Sequence, residues 1–111
     1  MHLSRLCWVL IAARKFDAAV VVSERAAAVG TSSLWEVAQR AHALMLSGRP
    51  DEARKIYLAH RGKVEDRGVQ AFVASQTPWE KLITNDFADL GRLGLTHPLM
   101  DEIRDALSGL R

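Results

Sequence analysis

Arg14-Lys15-Phe16-Asp17-Ala18-Ala19 reappears further along the chain as Gly48-Arg49-Pro50-Asp51-Glu52-Ala53, which sets Ala53 34 residues beyond Ala19. A step of that size separates the units of stacked helix–turn–helix arrays, in which each unit buries its apolar face against the next. The flanking residues agree. Leu3, Leu6, Cys7 and Leu10 fall three and four apart, as do Phe16, Ala19, Val20, Val22 and Ala26, a helical and not an alternating pattern. Val20-Val21-Val22 alone would favour a strand, but the alanines around it favour helix.

The same reading extends over most of the chain. Gly30 is expected to end the second helix near Val29, and Ser33 with Glu36 forms a capping box for the third. That helix carries Val37, Ala38, Ala41, Leu44 and Met45 to about Ser47, and Gly48 turns the chain. Pro50 suits the first position of a fourth helix, with Asp51 and Glu52 favourable at its positive end. Ala53, Ile56, Tyr57 and Leu58 carry it to about His60, where Gly62 stops it. From Lys63 to Gln76 no period is legible, and Val69 to Val73 suits a short helix as well as an extended piece. Thr77-Pro78-Trp79-Glu80 is a second capping box with proline at the first helical position. Trp79, Ile83, Phe87 and Leu90 follow as one apolar stripe. Thr96 is the expected N-cap of the last helix, which turns Leu99, Ile103, Ala106, Leu107 and Leu110 inward. The fold expected is all-α and built of antiparallel hairpins: two within residues 1–62, an irregular connector at 63–77, and a third hairpin over 78–111.

These positions resemble the tetratricopeptide repeat family. Its pattern of large, leucine-like and small residues, then a turn glycine, an alanine, an aromatic and a second alanine, falls on Leu3, Leu6, Cys7, Leu10, Arg14, Ala19, Ser23 and Ala26. In the second unit it falls on Val37, Arg40, Ala41, Leu44, Gly48, Ala53, Tyr57 and His60. Cys7 and Ala41, with Ala19 and Ala53, are small where the paired helices must approach closely. Arg14 departs from the turn glycine, Ser23 from the aromatic, and Arg40 and His60 from apolar or small residues. A further step of 34 lands on Phe87, so no third unit is in register. Pro78-Trp79-Glu80, Asp86-Phe87 and Gly94 to Met100 resemble the hairpin that closes the array in some bacterial members of the family. The resemblance implies a short α-solenoid with a C-terminal hairpin cap covering the last repeat.

It also implies a groove lined by the first helix of each hairpin. Carried over, the groove positions are Trp8 and Ile11 (with Ser4 and Ala12) and Trp35, Ala38, His42 and Met45. Trp8 corresponds to His42 and Ile11 to Met45. The lysines, arginine and asparagine by which one subclass grips a C-terminal carboxylate are missing. An apolar peptide or helix is therefore the expected partner, with tryptophan as anchor. Burial of the same residues by the C-terminal hairpin, by a second copy or by further repeats is the competing expectation. Some members carry a caspase-like peptidase domain towards their N-terminus, so the chain also reads as the capping end of a larger enzyme.

Composition narrows the remaining classes. Residues 1–63 hold ten Lys/Arg against five Asp/Glu, and residues 64–111 five against eight, within an overall formal charge of +2. A basic first half could suit an acidic partner, but its cations alternate with acids and no recognition helix stands out, which weighs against nucleic acid. Cys7 is the single cysteine, so an intramolecular disulfide is excluded. His2, His42, His60 and His97 are scattered, without the i, i+4 spacing of metal ligands on one helix. Asp51-Glu52 and Asp101-Glu102 point to different helix faces, and the glycines form no phosphate loop. The expectation is a non-enzymatic module without metal or cofactor. The apolar stretch Leu3 to Ala13 is read as structure and not as a secretory signal, and no apolar run nears the roughly 20 residues of a bilayer span. A cytoplasmic location follows as an expectation.

Overall fold

A computed structural model describes residues 3–29, 34–61 and 78–108. They form α1 (Leu3–Ala12), α2 (Phe16–Val29), α3 (Leu34–Leu46), α4 (Pro50–Ala59), α5 (Trp79–Arg92) and α6 (Pro98–Ser108). No helix among the described residues is long and apolar enough to cross a membrane.

Helices α1, α3 and α5 end with one backbone device. The Arg14 N–H donates to the Ile11 carbonyl and the Lys15 N–H to that of Leu10, at 2.9 and 2.8 Å. Gly48 and Arg49 repeat this on Met45 and Leu44, and Gly94 and Leu95 on Gly91 and Leu90. Such Schellman closures satisfy the last carbonyls but require a left-handed residue just past the helix. Gly48 (φ 96°) and Gly94 (φ 78°) take that conformation freely, and Arg14 takes it at φ 65°. A non-glycine residue there costs about 1–2 kcal/mol. Arg14 recovers part of this by donating from its guanidinium to the Leu93 carbonyl at 3.2 Å, tying the first turn to the third. The departure seen in the sequence thus keeps the glycine conformation and adds a tether.

Counted from these turn residues, the first two hairpins match and the third differs. Seven residues before and five after stand Cys7 and Ala19, then Ala41 and Ala53, then Phe87 and Leu99. The four small residues are buried, and the Cys7 thiol donates to the Ala19 carbonyl at 3.5 Å. With little between their axes, α1 packs along α2 and α3 along α4, while α3 also lies against α1 and α2. Phe87 and Leu99 are too bulky for so close an approach. The third hairpin packs on itself more loosely, and α5 also lies against α3 and α6 against α4. One apolar core runs through all three hairpins.

The inward stripe expected of α5 is realised in full, since Trp79, Ile83, Phe87 and Leu90 are all buried. Other expectations shift. Pro78 is the N-cap of α5 and not its first helical residue. The cap of α6 is His97, not Thr96: its Nδ1 accepts the Leu99 N–H at 3.0 Å, leaving Pro98 to open the helix. Leu6 is exposed, and the buried edge of α1 is Cys7 and Ile11. Gly30, Ser33, Gly62, Thr77, Leu110 and the connector at 63–77 lie outside the described residues.

Gly48 and Gly91 separate backbone from packing, because a Cβ at either would meet nothing within 4 Å. Gly48→Ala is expected to lose about 1–2 kcal/mol, the left-handed penalty alone. Gly91→Ala, inside α5, is expected to gain about 0.5–1 kcal/mol. Urea denaturation of the two variants checks both signs.

Candidate binding groove

His42 lies on α3 with no accessible surface. Its Nδ1 is 2.7 Å from the Tyr57 hydroxyl on α4, and its Nε2 is 2.9 Å from Asp86 Oδ2 on α5. A carboxylate can only accept, so Nε2 carries the proton and donates to Asp86. In the neutral ring Nδ1 then accepts from the Tyr57 hydroxyl. Burial, followed by the nearby Asp86 charge, pushes the Tyr57 phenol well above its ordinary ionisation range, so it keeps its proton. Aromatic packing closes the cluster: the His42 and Phe87 ring centres are 5.7 Å apart, and Phe87 meets Tyr57 edge-on at 5.5 Å. The Trp79 indole N–H donates to the Tyr57 carbonyl at 2.8 Å.

The order Tyr–His–Asp has the connectivity of a hydrolytic triad, with a phenol in place of the nucleophile. Tyr57, however, has no accessible surface and stays protonated. It therefore has no route to a substrate, and what the relay does is fasten α3, α4 and α5 to one another.

The residues expected to line a groove divide into two sets. Trp8 and Trp35 are half-buried, whereas Ile11, Ala38, His42 and Met45 have no accessible surface. The expectation that all six face a partner is corrected accordingly: four of them belong to the core. For His42 the cover is α5, whose Asp86 and Phe87 lie against it. Equivalent positions show the contrast directly. Val9 on α1 is 54% exposed, while Ala43, 34 residues on, is 0% exposed. One face is open on the first hairpin and filled on the second. Cys7, Ala19, Ala41, Ala53 and Tyr57, named from the repeat pattern, are buried, and Gly48 takes the left-handed turn after α3.

Two participants escaped the sequence reading. Asp86 stands three residues after Ile83 and beside Phe87, hence on the buried edge of α5, where a carboxylate demands a partner. That signal was present, but nothing in the sequence names His42 as the partner. Gln39 is also buried, and both polar atoms of its amide lack a hydrogen-bond partner.

Several further groups among the described residues are occupied or shielded. Burial pushes the Cys7 thiol up to about 12. His60 Nδ1 donates to the Ile56 carbonyl at 3.0 Å just past the end of α4, and its ring packs on Trp79. Arg54 grips Glu102 through two nitrogens at 2.6 and 3.1 Å and Asp51 at 2.7 Å, joining α4 to α6. Its guanidinium holds the Glu102 carboxyl below the usual carboxylate range. Among the described residues no three His, Cys, Asp or Glu side chains gather as a metal-binding set.

Cys7 and Tyr57 make the fold alkali-sensitive. Their ordinary values are 9.0 and 10.0, and both are raised in the folded chain. The unfolded chain releases these protons first. Their stabilising contribution is therefore complete below pH 9 and lost as the pH rises towards 12, by about 1.4 kcal/mol per pH unit for each proton released. Denaturant midpoints measured from pH 7 to 11 should fall above 9, and less steeply in Cys7→Ala. Gln39→Met keeps the side-chain length and removes two stranded polar atoms, so a gain of about 1–2 kcal/mol is expected in the same assay.

No family model, curated protein or solved structure matches the chain, so its function is argued from these contacts.

Proposed function

We propose that the chain is a non-catalytic protein-interaction module: two tetratricopeptide-like hairpins presenting an apolar edge of α1 and α3 to a peptide or helix of a partner, with α5–α6 as the closing hairpin. Support comes from the repeated turn closure, the small residues at matching places, and the burial of the only triad-like relay among the described residues. The observation that carries the reading is the contrast between Val9 and Ala43. Ala43 on α3 is fully buried, whereas the matching position on α1 stands open with Val9 upon it, beside half-buried Trp8. Trp8 and Trp35 supply rigid aromatic area of the kind that dominates binding energy.

A second reading, that the chain caps a longer repeat array, is favoured by a different observation. Leu6 is 41% exposed beside half-buried Leu10, apolar surface that a further hairpin would cover. Nucleic-acid binding is the weaker alternative, because Arg49 and Arg54 spend their charge on Glu52, Asp51 and Glu102.

Trp8→Ala/Trp35→Ala in the full chain, checked for folding by circular dichroism, is expected to lose partners captured by the wild type. Removing such an anchor costs about 2 kcal/mol, roughly thirtyfold in affinity. Retention of every partner by the folded double variant sinks the interaction-surface reading.

A further inference from the structure

We infer that the chain associates with itself head to tail: the uncharged outer edge of α1, with Leu6 and Val9 upon it, docks in the cleft between α5 and α6 of a second copy. The inference names an occupant for the α1 edge and rests on the interaction-module reading.

The head is an apolar edge where a surface helix ordinarily carries charge. From Leu6 to Ala13 α1 holds no charged residue. Its inner side is taken up by Cys7 and Ile11, yet Leu6 is 41% and Val9 54% exposed, and Ala12 and Ala13 are exposed as well. A helix that is apolar all round is ordinarily covered all round. At the stations 34 residues on, Arg40 and buried Ala43 stand in place of Leu6 and Val9. The apolar excess therefore belongs to the first hairpin and not to the repeat pattern.

The tail offers a receptor. A cleft of about 280 Å³ opens between α5 and α6, lined by Glu80, Lys81, Thr84, Arg104 and Leu107. All five belong to the third hairpin, so the cleft lies between its two arms. Arg104 is tied to Asp101 at 2.8 Å and lies 5.7 Å from the Phe87 ring centre, which fixes one wall. Leu107 and the aliphatic stems of Lys81 and Arg104 supply apolar surface for an entering leucine or valine. Charge then decides which contact between copies forms. Residues 3–29 hold four Lys/Arg against two Asp/Glu, and residues 78–108 three against six. Pairing α1 with α1 across a two-fold axis opposes two cationic hairpins. Head-to-tail docking opposes a cationic hairpin to an anionic one, an attraction that steers the encounter. It leaves the second copy's own head free, so the contact is heterologous and repeats.

Sedimentation equilibrium of the full-length chain tests this. The wild-type average mass is expected to climb with concentration beyond twice the 12.3 kDa of one copy. It should fall back at high salt, which screens charges beyond a few ångströms. Val9→Glu spoils the head, and Thr84→Arg fills the cleft and makes the tail less anionic. Each variant, checked for folding by circular dichroism, is expected to associate at least about tenfold more weakly than wild type. Leu6→Glu and Thr84→Lys serve in their places if either does not fold. An equimolar mixture of the two variants is expected to form pairs and stop there, because one brings an intact cleft and the other an intact head. The inference is overturned if the wild type stays at one copy at every concentration, if either variant associates like wild type, or if the mixture does not recover the pair. A monomeric wild type whose partner capture still depends on Trp8 and Trp35 removes this inference alone. Complementing variants together with capture that ignores both tryptophans remove only the reading of a groove for other partners.

Discussion

His42 joins three helices drawn from distant parts of the chain, and the placement of the third hairpin depends on it. Tyr57 lies 15 residues away and Asp86 44. A buried carboxylate without a donor would be costly, as would a buried imidazole with a free N–H. Satisfying both at once leaves α5 little freedom to rotate or slide along α3, because hydrogen bonds are directional where apolar contacts are not. The Phe87 and Tyr57 rings and the Trp79 indole bond then close around a geometry that the polar pair has already selected. Arg54 adds an outer clasp between α4 and α6, exposed to solvent and therefore secondary in weight.

Beneath that lock, turn chemistry and side-chain volume divide the work. The three Schellman closures set where hairpins reverse, whether the residue is glycine or Arg14. Volume at the stations around each turn decides how the two arms sit. Small residues draw α1 to α2 and α3 to α4, whereas Phe87 and Leu99 keep α5 and α6 further apart and leave them to pack on α3 and α4 as well as on each other. The functional contrast follows from this. A hairpin that closes loosely on itself sets its apolar stripe against His42 on α3, while Val9 on α1 stays open.

Helix positions were largely legible because their determinants are local. Pro50, Gly48 and the stripe of Trp79, Ile83, Phe87 and Leu90 each act within a turn or two of themselves. The cap of α6 was read one residue early because threonine is the commoner capping side chain, yet the His97 imidazole does the work. Burial of Ile11, Ala38, His42 and Met45 could not be separated from groove exposure. On a helix wheel, a residue facing a partner and one facing the chain's own later helix occupy the same angle.

By itself the sequence determined an all-α chain, the two matching hairpins with their small contact residues, and the reversal points at Arg14 and Gly48. Periodicity, glycine and proline act at short range, and their consequences can be read in order along the chain. Only the tertiary structure decided that Asp86 meets His42, that α5 covers the α3 face, and that Gln39 is left unpartnered. Each of these depends on which surfaces meet across tens of residues, and such a meeting is selected by shape and by the satisfaction of buried polar groups.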